Sequence, residues 1–118
     1  MNAPLNTITF ADFENVDIRV GKVIDIVDFP EAKKPAYKFT IDFGPLLGIK
    51  HSSAQAVGAH TKEELLGSLV CCVVNFPPKQ VGPFVSEVLT LGFKNSAGDG
   101  WVLIEPKNDS VVLGSKLA

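Results

Sequence analysis

The chain has 118 residues, of which 46% are hydrophobic and 20% charged, and its formal net charge is −2. That length suits one domain, residues 1–118, with a workable core, and the composition excludes a disordered chain or a protein coated in basic residues. No apolar run nears the roughly 20 residues that span a bilayer, so membrane insertion is not expected.

The opening MNAPLNTITF has neither a basic segment nor a long apolar one. It does not fit a secretory signal, which favours a cytoplasmic protein. Val16, Ile18 and Val20 then alternate with Asp17 and Arg19, the period-2 signature of a half-buried strand. Gly21 interrupts the pattern before Val23, Ile24, Ile26 and Val27 resume it. A glycine there predicts a bulge or bend that lets a long first strand serve both sides of a small barrel. In the second strand Tyr37, Phe39, Ile41 and Phe43 face one way, and Lys38, Thr40 and Asp42 the other. A third short strand spans about Gly48 to Ala54.

TKEELLG predicts one short helix. Thr61 caps it, Glu64 completes a capping box, Leu65 and Leu66 form the buried face, and Gly67 stops it. Leu69 to Phe76 reads as a fourth strand, apolar on both faces, so its outer side must be covered by the helix, the terminal segments or another subunit. The following loop holds Pro77, Pro78 and Pro83. Proline fixes its own φ and biases its predecessor towards extended backbone, so this loop is preorganised in the manner of a binding loop. Val85 to Phe93 predicts a fifth strand. Asn95 to Gly100 turns the chain into Trp101–Ile104, Pro106 ends that run, and Val111 to Leu113 is a last short apolar segment. Ser115-Lys116-Leu117 resembles a peroxisomal tag, but Ala118 follows it.

Five strands with a helix between the third and fourth match the order of an OB-fold. The expected fold is therefore all-β with one short helix: a five-stranded OB-fold barrel, its core about residues 12–93, with N- and C-terminal extensions. The outer face of Leu69–Phe76 and the segment around Trp101 offer more apolar surface than one small barrel hides, which predicts a homodimer.

Catalytic patterns are missing. His51 and His60 lack metal-ligand spacing, no glycine loop cradles phosphate, and no serine sits in a G-x-S-x-G setting. Glu63 and Glu64 belong to a helix start, where carboxylates meet the helix dipole favourably. Cys71 and Cys72 are adjacent in a strand, so their side chains point to opposite faces and cannot share a metal; both read as core packing in a reducing compartment. No enzyme activity, metal or cofactor is expected.

Binding fits better. Residues 1–31 carry a net −4, residues 32–50 a net +3, residues 51–83 balance, and residues 84–118 carry −1. OB-folds take ligands across strands two and three, framed by the loops after strands one and four. Those elements would supply Lys33, Lys34 and Lys38, then Lys50, Ser52 and Ser53, then Lys79 and Gln80. Phe29, Tyr37, Phe76 and Phe84 lie near them in sequence, suited to stack on bases or hold apolar side chains. So short a basic stretch suits modest, salt-sensitive attraction of phosphate.

Four segments carry a family resemblance: DFENVDIRVGKVID at Asp12–Asp25, DFPEAKKPAYKFTIDFG at Asp28–Gly44, IKHSSAQ at Ile49–Gln55, and NFPPKQVGPFVSEVLTLG at Asn75–Gly92. Together they resemble the CsaA family, small dimeric tRNA-binding-domain proteins related to the C-terminal module of methionyl-tRNA synthetases. The resemblance implies an OB-fold barrel whose terminal extensions build the dimer. It also implies a secretion-related chaperone that engages unfolded or precursor polypeptides and has tRNA-binding capacity. A tRNA ligand would meet Lys33, Lys34, Lys38, Lys50 and Lys79, with Ser86 lining the cleft; a polypeptide would meet Tyr37 and Phe84. Two departures weaken the expected grip on tRNA. The H-P-N-A-D-K motif of related RNA-binding modules is here Phe29-Pro30-Glu31-Ala32-Lys33-Lys34, placing a carboxylate where phosphate would lie. Their S-x-G-M is here Ser86-Glu87-Val88-Leu89. The alternative function is a tRNA-binding module with no client protein.

Overall fold

The computed structural model describes residues 5–118. Its framework is a five-stranded antiparallel sheet with strand order β3-β2-β1-β4-β7, curled into a nearly closed barrel. The strands are β1 (Ile18–Asp28), β2 (Tyr37–Asp42), β3 (Ile49–Ala54), β4 (Leu69–Val73) and β7 (Leu89–Thr90). Two hairpins are added to it, β5 (Lys79–Val81) with β6 (Phe84–Ser86) and β8 (Gly92–Lys94) with β9 (Trp101–Leu103). The fold is the OB-type barrel that the element order implied.

β1 serves both halves of the barrel. Its first part, Ile18–Lys22, pairs with β4, and its second part, Lys22–Asp28, pairs with β2. The bulge that permits this lies at Ile24, between Val23 and Asp25, rather than at Gly21. Gly21 has a different task. A Cβ there would sit 2.5 Å from Ile41 Cγ2 and 2.8 Å from Phe43 Cε1, so core side chains pack directly on its backbone.

The alternation in β2 holds as read: Tyr37, Phe39, Ile41 and Phe43 are all buried. They meet Val23 and Ile26 of β1, Val70 and Cys72 of β4, and Val88 in one core. Helix α2 (Lys62–Leu65) starts as predicted, with Thr61 and Glu64 forming a reciprocal capping box, and it adds Leu65 to the core. A second helix was not anticipated. α1 (Phe10–Glu14) is capped by Thr9, whose side chain accepts from Asp12 N–H while Asp12 accepts from Thr9 N–H.

The expected fifth strand, Val85 to Phe93, is three pieces: β6, β7 and β8. It breaks because residues 86–88 turn aside to seal the barrel against β3, as described below. The outer side of β1 and β4 is partly covered by the C-terminal tail. Leu117 N–H donates to Ile18 O, Gly114 N–H to Val20 O, and Val20 N–H to Ser115 O, occupying an edge of β1 that β2 leaves free. Gly114 (φ +88) is required there, since a Cβ would lie 2.4 Å from Phe43 O.

Gly21→Ala is expected to lower stability by about 1–3 kcal/mol, the usual cost of overpacking a filled core. A urea transition whose midpoint is unmoved by this change would show that the core has room that its contacts deny.

Candidate ligand-binding face

Strand pairing decides which side chains share the outer face of β2 and β3. Lys38 stands opposite Ser53, and Thr40 opposite His51. Directly opposed residues lie on one side of the pleat, and neighbours along a strand lie on opposite sides. Lys50 is opposite Ile41, a core residue, so it projects from the face opposite to Lys38. The lysine row expected across the two strands is therefore broken.

Three other expected site residues also take structural places. Tyr37 is buried; its hydroxyl donates to His60 O at 2.8 Å, and burial pushes its pKa upward. Ser52 is fully buried, donating to Val88 O at 3.1 Å and sharing a hydrogen bond with Thr90 Oγ1 at 2.8 Å. Ser86 Oγ accepts from Ser53 N–H at 3.1 Å and donates to Val88 O at 3.2 Å. All three hydroxyls are committed within the chain; Tyr37 and Ser52 belong to the buried wall of the barrel, and Ser86, partly exposed, ties the seam while lining the groove described below.

The remaining four candidates are partly or fully accessible. Lys33 and Lys34 are exposed at the tip of the loop after β1, a turn tightened by the hydrogen bonds from Ala32 N–H to Phe29 O and from Phe29 N–H to Ala36 O. Lys79 is exposed on β5, and Phe84 is half-buried on β6. The β5–β6 hairpin turns at Gly82 (φ +56), close to Glu31. It folds over the outer face of β2, where Phe84 meets Phe29 with ring centroids 5.5 Å apart in an edge contact. Lys38 Nζ lies 5.3 Å from the centre of the Phe29 ring and 5.8 Å from that of Phe84.

Two features escaped the sequence. One is the His51–Glu87 pair: His51 N–H donates to Glu87 Oε1 at 2.9 Å, the ring Nδ1 lies 3.0 Å from the same oxygen, and Glu87 N–H donates to His51 O at 2.8 Å. Partial burial raises the pKa of this carboxyl. The hydrogen bonds from His51 and the charge of Lys50 outweigh that, and it settles below its ordinary 4.5. The other is an apolar groove along β7. A cavity of about 270 Å³ lined by Phe76, Pro77, Lys79, Ser86, Glu87, Val88 and Leu89 adjoins one of about 340 Å³ reaching Trp101 and Leu103. Leu89 lines both and is 47% exposed. The only available signal was the alternation from Val85 to Leu89, which sets Leu89 outward.

The cysteines sit as the strand pattern required. Cys72 is fully buried beside Thr90, and burial drives its thiol up to about 12; Cys71, partly covered, is raised for the same reason. No helix among the described residues is long and apolar enough to cross a membrane.

With this geometry in hand, the likeness to known proteins becomes informative. The family model described as a putative tRNA binding domain matches residues 18–116, and the chain belongs to that family. The solved structure of a CsaA chaperone protein from Picrophilus torridus is 47% identical, with a TM-score of 0.85 over 95% of this chain and all of that one. The chaperone CsaA of Bacillus anthracis is 43% identical, with a TM-score of 0.87 over 96% of this chain and all of that one. The methionine–tRNA ligase of Parabacteroides distasonis is 38% identical over 92 residues, 77% of this chain. The chain spans only 13% of that ligase's length, so the match is to one domain of a longer enzyme.

Glu87 gives the seam a pH dependence of definite sign. A carboxyl held below its unfolded value adds stability that is present above pH 4.5 and lost as pH falls through the folded value. Glu87→Gln is therefore expected to flatten the acid side of the stability curve. Equal slopes for the two proteins below pH 4.5, by urea denaturation at stepped pH, would remove Glu87 from this role.

Proposed function

We propose that the protein is a cytoplasmic, secretion-related chaperone: a homodimer that holds unfolded or precursor polypeptides, with a capacity for tRNA and no catalytic activity. The observation that carries this reading is the apolar groove along β7. It is open, its walls are mostly apolar, and Lys79 and Glu87 are its charged margin. An extended chain could lay alternate apolar side chains against Phe76, Val88 and Leu89 without any sequence-specific hydrogen bonding. The names of the CsaA structures at 43–47% identity point the same way.

The dimer is supported by apolar residues that the terminal extensions leave in water. Ile8 is 65% exposed and Phe10 71% at one end, and Phe93 is 71% and Val112 76% exposed towards the other. So much exposed apolar surface on so small a domain suits a covered interface. Two grooves on one dimer would gain avidity for one long client. Light scattering at micromolar concentration should give the mass of two chains; a stable single chain would remove the dimer.

Phe76 tests the groove, because it is 53% exposed and its loss leaves the core intact. Phe76→Ala is expected to weaken suppression of aggregation of a denatured substrate several-fold while urea stability stays within about 0.5 kcal/mol. Undiminished suppression would place client binding elsewhere.

The family match favours a second reading, a tRNA-binding module without clients. The exposed cations for it are Lys33, Lys34 and Lys79. Binding of unfractionated tRNA should fall steeply with salt. Replacing Lys33 and Lys34 by alanine should cut the log–log salt slope by about two, close to one per phosphate contact. Retention of the full slope would show that the loop after β1 does not touch the RNA.

A further inference from the structure

One contact is not used by either ligand reading: Lys38, the cation on the outer face of β2, is already occupied. Its Nζ sits against the rings of Phe29 and Phe84, and Phe84 also meets the His51 ring edge-on, with centroids 6.3 Å apart. Phe29 is 3% exposed and belongs to the barrel wall, whereas Phe84 rides on the β5–β6 hairpin. The hairpin is held at its base by the hydrogen bond from Ser53 N–H to Ser86 Oγ and, one residue further, by the His51–Glu87 bonds, and Pro83 stiffens its turn.

We propose that Phe84 is an internal cap on Lys38: it withholds this cation from RNA phosphates, and the hairpin must lift before the face of β2 can bind RNA. The proposal rests on the tRNA reading above and deepens it. A phosphate approaching Lys38 must compete with the two rings, which lie on the same side of the ammonium with their centroids 5.5 Å apart, and the side chain is only partly exposed. The apparent affinity for RNA is then reduced by the fraction of molecules in which the hairpin is raised. Glu31 acts in the same direction, since it lies beside the hairpin tip at Gly82 and adds a negative charge at the entrance. With the cap down, the surface offered is the apolar groove edged by Phe76 and Leu89. Phe84 thus sets which ligand class the closed protein favours.

The test compares wild type, Phe84→Leu and Phe84→Leu/Lys38→Ala in titrations with unfractionated tRNA at several salt concentrations. Leucine keeps apolar bulk on the hairpin but removes the ring. Phe84→Ala serves as a second, more open variant if leucine still covers the ammonium. Release of Lys38 is expected to tighten binding at low salt about fivefold, the scale of a lost cation–π contact. It should also steepen the log–log salt slope by about 0.9, one further phosphate. Both gains should vanish in the double variant. No gain in either single variant, or a gain that survives removal of Lys38, overturns the cap. Amine labelling read by mass spectrometry separates the two levels of the argument. Lys38 labelled as fast as Lys33 in the wild type overturns the cap alone. Absence of tRNA binding by every variant at low salt, with Lys38 protected in the wild type and released by Phe84→Leu, overturns the tRNA reading and with it the proposed role.

Discussion

The barrel depends on a seam that is not a β-ladder. β3 and β7 end the sheet on its two sides, and each pairs with only one other strand. Apart from the backbone bond from Glu87 N–H to His51 O, closing the gap falls to side chains. Ser52 reaches from β3 to Val88 O and Thr90 Oγ1, Ser86 Oγ takes the Ser53 N–H, and Glu87 binds the backbone and ring of His51. Ser52 is fully buried, and a buried hydroxyl left unpaired costs about 1–3 kcal/mol, so these bonds are obligatory rather than decorative. Among the described residues no buried side-chain polar atom lacks a partner.

The seam also explains how one short segment serves both the fold and the proposed ligand surface. From Phe84 to Thr90 the chain gives Ser86, Val88 and Thr90 to the barrel, while Val85 and Leu89 stay exposed between them. The inward set fixes the position of the outward set to within a hydrogen-bond length. That is why the groove can be apolar and open without collapsing onto the core: its floor is pinned by polar bonds as well as by the packing of Val88 in the core. The hairpin that precedes the seam inherits the same anchoring through Ser86, and so is placed over β2 without a large contact of its own.

Much of this was legible before any coordinates. The clean alternation from Tyr37 to Phe43 described the core, and the pairing of Thr61 with Glu64 described a helix start. The same kind of signal, Thr9 with Asp12, went unread because an aspartate, rather than the usual Glu or Gln, completes the box. Sequence proximity misled where register decides. Tyr37 lies one residue from Lys38, yet the alternation that placed it beside Phe39 already assigned it to the interior. Lys50 had no such warning, since β3 carries no clear period. Its facing follows from being opposite Ile41, and only strand pairing discloses that. Nor does any pattern reveal that Ser86 turns its hydroxyl inward, which is what breaks the fifth strand.

The charge distribution takes on a different meaning once the chain is folded. The basic stretch from residue 32 to 50 looked like one phosphate-attracting band, but folding disperses it. Lys33 and Lys34 stand at a loop tip, Lys38 lies against the rings of Phe29 and Phe84, and Lys50 emerges on the other side of the pleat. A polyanion therefore meets two free cations beside Glu31 rather than a continuous row, and each missing phosphate contact removes about one unit from the salt dependence. An apolar client loses nothing by the same dispersal, because the groove along β7 owes little to charge. On the proposed readings, the fold weakens the contact with RNA without touching the groove for a client.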